Sequence, residues 1–600
     1  MSVHPSLKSR LSSWRRIAAT AKRVTRNDQV ILSTLAIGIG GLAGLGAILF
    51  RLAIDAVQWG ALGFWGEQVV SHVAAQPWWR IILAPTLGGL VIGLAIHFFM
   101  PNRRPQAVAD VIEAAALQGG RMKLSNGIKA ALISAGSIGV GGSVGREGPV
   151  VHMGAVIGSV VARKLHLGRR LTRTLLGCGV AAAVAASFNA PIAGVFFALE
   201  VVVGHYALSA FAPIVIAAVV GTLVSRAHYG DFPAFILVQN YEIASFWEFP
   251  AFALLGVASA VAALAFMYAI TLTEDGFDRF GRIPRWGRPA VAGLAVGLVA
   301  LLYPQVLGVG YEATDAALGE RYGFWLLVLL AALKICLSGL CLGAGFGGGV
   351  FSPSLFIGAM LGGSFGVLAT SAFPELSSGH GAYTVIGMGA VAGAVLGAPI
   401  SSILMIFELT GDYELTIALM MATAIASILV QQIFGRSIFT WQLERRGINL
   451  RGGQEIGVLR TRTCRAMMDS TFATVAPTAP IAEVREALLK APWGELFVID
   501  SEGKLTGTIT FSDLSGFAFD TSRDAELTAA GVARARPPVL ETGDHLERAV
   551  QVFGSSGEPH LAVVDSRQSM KMLGLLHEHE TMSAYHRALV EARKEERGEV

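Results

Sequence analysis

The run Gly139-Val140-Gly141-Gly142-Ser143-Val144-Gly145-Arg146-Glu147-Gly148-Pro149 decides how this chain is read. Pro149 suits a first helical turn, where its missing N–H has no intrahelical partner to lose. The apolar stretch 150–161 continues that helix. Glycines ahead of it let backbone N–H groups converge without side chains in the way, and the helix start adds partial positive charge. Together these make an anion site without a full cation. An ion held that weakly can also leave. Glu147 carries a carboxylate at the same helix start, so it competes with a permeating anion when ionised and swings aside when protonated. It is a candidate gate. The ordinary alternative is a carboxylate that only stabilises a helix N-terminus. A carboxylate between apolar runs is nevertheless a functional candidate by default.

Outward from this run the pattern repeats. A shift of 204 positions places Gly139 on Gly343, Gly141 on Gly345, Gly145 on Gly349 and Pro149 on Pro353, then Gly154 on Gly358 and Gly158 on Gly362. Further on, Ala190-Pro191-Ile192 with Glu200 matches Ala398-Pro399-Ile400 with Glu408. Glycine is common in membrane helices, but matches in register followed by the same Ala-Pro-Ile order point to a duplicated domain. Duplicated transporters commonly have halves of opposite topology, with broken helices around an ion site near mid-membrane.

The composition agrees. Of 600 residues 53% are hydrophobic and 15% charged, with mean hydropathy +0.56, against about 25% charged in soluble domains. Apolar stretches at residues 30–50, 81–100, 249–270, 324–340 and 416–434 approach or exceed the roughly 20 residues that span a bilayer. A formal charge of +4 offers no basic stripe for nucleic acid. The basic run Arg15, Arg16, Lys22, Arg23 and Arg26 places the N-terminus in the cytoplasm. The first apolar stretch is too long for a signal-peptide core, so an uncleaved, multi-pass inner-membrane protein with a cytoplasmic N-terminus is expected. The four cysteines, Cys178, Cys336, Cys341 and Cys464, have neither zinc spacing nor a disulfide framework.

Beyond about residue 460 the chain turns soluble. Apolar runs at 495–500 and 505–510 precede a helix from Ser512, and runs at 560–564 and 572–576 precede another at 578–589. Two copies of a small α/β unit are expected.

Gly145-Arg146-Glu147-Gly148-Pro149, Gly349-Val350-Phe351-Ser352-Pro353 and Glu408-Leu409-Thr410-Gly411 together resemble the signatures of the CLC chloride channels and transporters, in order across residues 30–447. The tail resembles a CBS domain pair. The resemblance implies an all-α polytopic membrane domain with an internal, inverted repeat and broken helices, followed by a small α/β CBS pair. Its expected divisions are a cytosolic segment at 1–27, a membrane domain at 28–447 and a CBS pair at 448–600, with halves near 460–520 and 527–590. It also implies a cytoplasmic C-terminus, and a homodimer with one anion pathway per subunit and Glu147 as external gate. Gly145, Arg146, Glu147, Gly148, Gly349, Val350 and Phe351 would line the anion site.

At positions where the family has a serine, a tyrosine and an internal proton-relaying glutamate, this chain departs. The serine falls on Asn102 if Pro105 anchors the helix running through Val111. Its amide still donates, which leaves chloride, nitrate and fluoride open as substrates. Alternatively Asn102 only caps the next helix. The tyrosine falls on Phe439, which keeps a ring but no hydroxyl. The glutamate falls on Val201, which carries no proton and favours channel-like or weakly coupled conduction over proton-coupled antiport. Adjacent Glu200 reads as a structural helix-end carboxylate. His152 offers a pH sensor or, more simply, a satisfied interior histidine. In the tail, Thr510 and Asp513 resemble the CBS pattern that contacts adenine nucleotides, and the second copy, with His577 and Glu580, departs from it. No cofactor is required, chloride is the transported ion, and an adenine nucleotide at the CBS pair stays open beside a purely structural role.

Other function classes fit poorly. An intramembrane metalloprotease needs HExxH, and His577-Glu578-His579-Glu580-Thr581 lacks the second histidine at that spacing. A magnesium channel needs carboxylates for a hard cation. Glycine-rich helix starts favour an anion, and the expected protein is not an enzyme.

Overall fold

The computed structural model describes residues 28–231, 235, 243–281, 283–448, 463–516 and 526–597. The basic run at residues 15–26 lies outside them. The chain divides into two compact units, residues 1–449 and 450–600.

In the first unit, eight helices among the described residues are long and apolar enough to cross a membrane, judged by length and composition. They include Gln29–Leu62, Trp78–Phe99, Phe324–Ala344 and Tyr413–Arg445, which contain four of the expected stretches almost entirely. Shorter apolar helices, such as Pro191–Phe197 and Pro399–Thr410, cannot cross a core of about 30 Å at about 1.5 Å per residue. These are the broken helices expected of a duplicated transporter.

The repeat is visible in the backbone. One helix runs Glu147–Lys164 and its counterpart Phe351–Ala372, their starts separated by the same 204 positions. Ahead of them Gly145 and Gly349 form an antiparallel bridge, with each N–H donating to the other carbonyl at 2.8 and 2.7 Å. Chains meeting head-on at equivalent positions are what an inverted repeat requires. Each of the two helices packs on the following one through glycine. A Cβ at Gly154 would stand 2.2 Å from the Gly179 carbonyl oxygen, and one at Gly358 2.3 Å from that of Gly387. Small residues let these backbones touch where lipid provides no hydrophobic drive for association.

The second unit contains two sheets. Strands Ala473–Val475, Glu495–Ile499, Leu505–Thr510 and Arg534–Ala535 form one, and Val539–Glu541, His560–Val564 and Met572–His577 the other. In each, a parallel first pair enclosing a helix, Ile481–Lys490 or Leu546–Ser556, is followed by an antiparallel hairpin. The expected strand-strand-helix order thus stands in both copies, each preceded by a further strand and helix. The final helix extends to Arg597.

Candidate functional site

The two glycine-rich helix starts meet at Glu147. Gly145 must be glycine here: an added Cβ would lie 2.9 Å from both Glu147 Oε2 and the Gly349 carbonyl oxygen. The carboxylate is 1% exposed and its oxygens are bound separately. Oε2 accepts from the Ser352 backbone N–H at 3.3 Å, on the opposite repeat's helix, and from the Ser352 hydroxyl. Oε1 accepts from the Tyr311 hydroxyl at 2.7 Å. Arg146, also buried, keeps its Nε 3.9 Å from Oε1. Its guanidinium pairs with Glu67 and lies 4.6 Å from the Tyr311 ring centroid.

Three cavities are related to this carboxylate through their lining residues or through residues bonded to it. A narrow one of about 30 Å³, large enough for a water-sized particle, is lined by Ala107, Val108, Glu147, Gly148, Gly349, Val350, Phe351 and Phe439. Through Ala107, Leu342, Gly348 and Gln442 it adjoins a cavity of about 370 Å³. That wide cavity is lined by six arginines, Arg103, Arg104, Arg285, Arg288, Arg445 and Arg446, and by Asp110, Glu274 and Asp278. Arg104, Arg288, Arg445 and Arg446 are ion-paired with acids in or beside it, and the remaining positive balance favours anions. Beyond Glu147 a small cavity is lined by Arg51, Asp55, Gln58, Glu67, Arg146 and Tyr311.

A family model described as "Voltage gated chloride channel" matches residues 88–431. The chain belongs to the CLC family. A "CBS domain" model matches residues 464–519. The chain is 32% identical over 413 residues to the "Putative chloride channel protein ClcB-like" of Ralstonia nicotianae, covering 68% of this chain and 96% of that protein. It is 30% identical over 431 residues to the "H(+)/Cl(-) exchange transporter ClcA" of Vibrio cholerae, covering 69% and 89%. Its fold is similar to the crystal structure of a slow cyanobacterial Cl-/H+ antiporter, with TM-score 0.61 at 22% identity, covering 70% of this chain and 98% of that one.

Within this CLC fold, the residues singled out in the sequence fall in different places. Gly148, Gly349, Val350, Phe351 and Phe439 line the narrow cavity with Glu147. Gly145 does not line it but packs against Glu147 and Gly349, and Arg146 lines the small cavity. Asn102 lies elsewhere. It is exposed in the turn Pro101–Arg103, with φ +56°, and lines the wide cavity. The next helix begins at Val108 and not at Pro105, because the Asp110 carboxylate accepts the Ala107 N–H at 3.0 Å and ends the extended approach there. Ala107 and Val108 therefore stand where Asn102 was expected to reach. Asn102 does not cap that helix either.

Val201 is half-buried among apolar side chains in the π-helical segment Ala198–Val203. Neighbouring Glu200 is committed to the other repeat: it accepts from the backbone N–H groups of Ile400 at 3.1 Å and Ser401 at 2.9 Å. His152 is buried and its Nε2 has no hydrogen-bond partner among the described residues, so the satisfied interior histidine does not hold at that nitrogen.

In the tail, Asp513 Oδ2 accepts from Thr510 N–H at 2.8 Å, from Thr510 Oγ1 at 2.7 Å and from Arg534 Nε at 3.1 Å. Arg534 also bridges to Glu558 at 2.5 Å. Asp513, one of the two residues that resemble the nucleotide-contacting pattern, is thus already used as a helix cap and ion-pair partner.

Sequence reasoning missed Tyr311, Ser352 and Lys334. Ser352 stands inside the quoted Gly349–Pro353 run, and Tyr311 follows Gly308-Val309-Gly310, a glycine-rich helix start of the same kind. Lys334 is fully buried in an apolar helix. Its Nζ donates to the carbonyls of Val306 at 3.2 Å and Gly308 at 2.9 Å. A lone lysine in an apolar run is a default functional candidate, and that signal was available.

Proposed function

We propose that this CLC protein passes chloride across the membrane through the wide and narrow cavities, gated by Glu147, in a channel-like or weakly proton-coupled manner. The observation that carries this reading is that the Glu147 carboxylate occupies the meeting point of two helix starts and accepts the Ser352 N–H. A place built for a carboxylate by backbone donors suits a halide once the carboxylate leaves. Gly145, Gly148, Gly349, Val350 and Phe351 form its backbone walls, Phe439 narrows it and Arg146 attracts anions nearby. Asn102 belongs to the approach and contributes to anion capture in the wide cavity.

Channel-like transport rests on Val201, which cannot carry a proton, and on Glu200, whose carboxylate is occupied by Ile400 and Ser401. Proton-coupled antiport is the second reading, supported by likeness to relatives named exchangers, and nitrate or fluoride are its alternative substrates. The protein works as a homodimer in the inner membrane with both termini cytoplasmic, by analogy with the family. The domain divisions at 1–27, 28–447 and 448–600 belong to this same reading. In the CBS pair, an adenine nucleotide would have to displace Arg534 from Asp513, which favours a structural role for Thr510 and Asp513.

Chloride efflux and external pH, recorded together on chloride-loaded liposomes containing the purified protein, test this. Chloride leaving without opposing proton movement supports the channel-like reading. Proton uptake driven by the chloride gradient selects antiport, and absence of chloride efflux rejects both.

A further inference from the structure

We infer that Tyr311 is a positioning residue for the gate: its hydroxyl latches the Glu147 carboxylate in the anion pathway. This rests on the reading of Glu147 as gate and adds the group that holds it shut. The backbone supplies a donor to Oε2, the Ser352 N–H, and among the described residues no backbone N–H is bonded to Oε1. That oxygen is held by Tyr311 at 2.7 Å, from a helix of its own, Tyr311–Leu318.

The hydroxyl is aimed by contacts on several sides. The Arg146 guanidinium covers one face of the ring at 4.6 Å, and Phe235 meets it in an edge-on contact at 4.9 Å. The segment leading into Tyr311 is pinned twice: Lys334 Nζ binds the carbonyls of Val306 and Gly308, and Gly308 N–H donates to the Gly141 carbonyl at 3.3 Å. Gly141 belongs to the very loop that delivers Glu147. Both ends of the Tyr311–Glu147 hydrogen bond are therefore tied to one backbone frame.

Its place matters as well. Glu147 lines the narrow cavity and Tyr311 the small cavity beyond, with no lining residue in common. The hydrogen bond spans the junction between them. Breaking it removes a donor only from the seated, ionised carboxylate. A carboxylate that has swung out does not feel the change, so the balance moves toward the open state.

Chloride efflux from chloride-loaded liposomes at a fixed neutral pH separates the possibilities with wild type, Tyr311→Phe, Glu147→Gln and the double variant. Phenylalanine keeps the ring beneath Arg146 and against Phe235. Tyr311→Phe is expected to speed efflux by about tenfold, the scale of a hydrogen bond to a charged group, and to change it by less than about twofold on a Glu147→Gln background. Unchanged or slower efflux in Tyr311→Phe, or an equal gain on both backgrounds, overturns the latch. Glu147→Gln indistinguishable from wild type instead overturns the gate reading beneath it.

Discussion

Glu200 and Glu408 exchange helix caps across the internal repeat. The Glu408 carboxylate accepts the N–H groups of Ile192 at 2.8 Å and Ala193 at 2.7 Å, and Glu200 does the same for Ile400 and Ser401, adding the Ser401 hydroxyl at 2.5 Å. Each short Ala-Pro-Ile helix thus has its start closed by the end of the other. Removing Glu408 with alanine leaves two N–H groups without their charged acceptor, at a cost of about 1–3 kcal/mol. Thermal unfolding of the purified protein in detergent should show that loss, and Glu200→Ala should lose a similar amount. Chloride efflux should persist in Glu200→Gln, since this carboxylate is structural.

Gly358→Val tests the helix contact next to the pathway. The first added carbon would stand 2.3 Å from the Gly387 carbonyl oxygen, and neither backbone can retreat without parting the helices. The variant is expected to fail as a monodisperse species in size-exclusion chromatography. Gly38→Ala meets nothing within 4 Å and should elute as wild type does.

Glu147→Gln bears on gating by protons. A gate whose charge holds it in the pathway makes wild-type efflux depend on pH. The amide is neutral at every pH, so the variant should conduct with a flat pH profile. A profile that still follows pH would remove Glu147 from the gate.

Phe439→Tyr adds a hydroxyl donor to the wall of the narrow cavity, which Phe439 lines together with Glu147 and Phe351. If an anion resides there, the added donor should tighten chloride binding by about fivefold, corresponding to a net hydrogen bond of about 1 kcal/mol. Isothermal titration calorimetry against chloride measures it, and unchanged affinity would place the bound ion away from this ring.

Cys464 provides a probe of the second unit. It is fully buried, and burial, with Asp544 adding to it, pushes its thiol up to about 12. Its thiolate fraction near neutral pH is therefore negligible, and the thiolate is the reactive form. Maleimide should leave Cys464 unmodified in the folded protein and label it after urea unfolds the unit, as read by peptide mass spectrometry.

What the sequence by itself determined was everything carried by local pattern. Glycines ahead of Pro149 and Pro353 marked helix starts suited to an anion, because backbone freedom and the helix dipole act within one turn. Their recurrence marked the duplication, and alternating apolar runs marked the tail's hairpins. Span lengths followed from hydropathy alone. The tertiary structure decided who meets whom. That Glu147 binds Tyr311, 164 positions away, and that Glu200 serves the helix after Ala398, follow from packing two repeats head-on, which no local period encodes. Asn102 shows the same limit from the other side. Its helix could start at Pro105 by local rules, but the Asp110 cap moved the start to Val108 and left Asn102 in the wide cavity, since hydrogen-bond closure at the helix end outweighs the proline's preference.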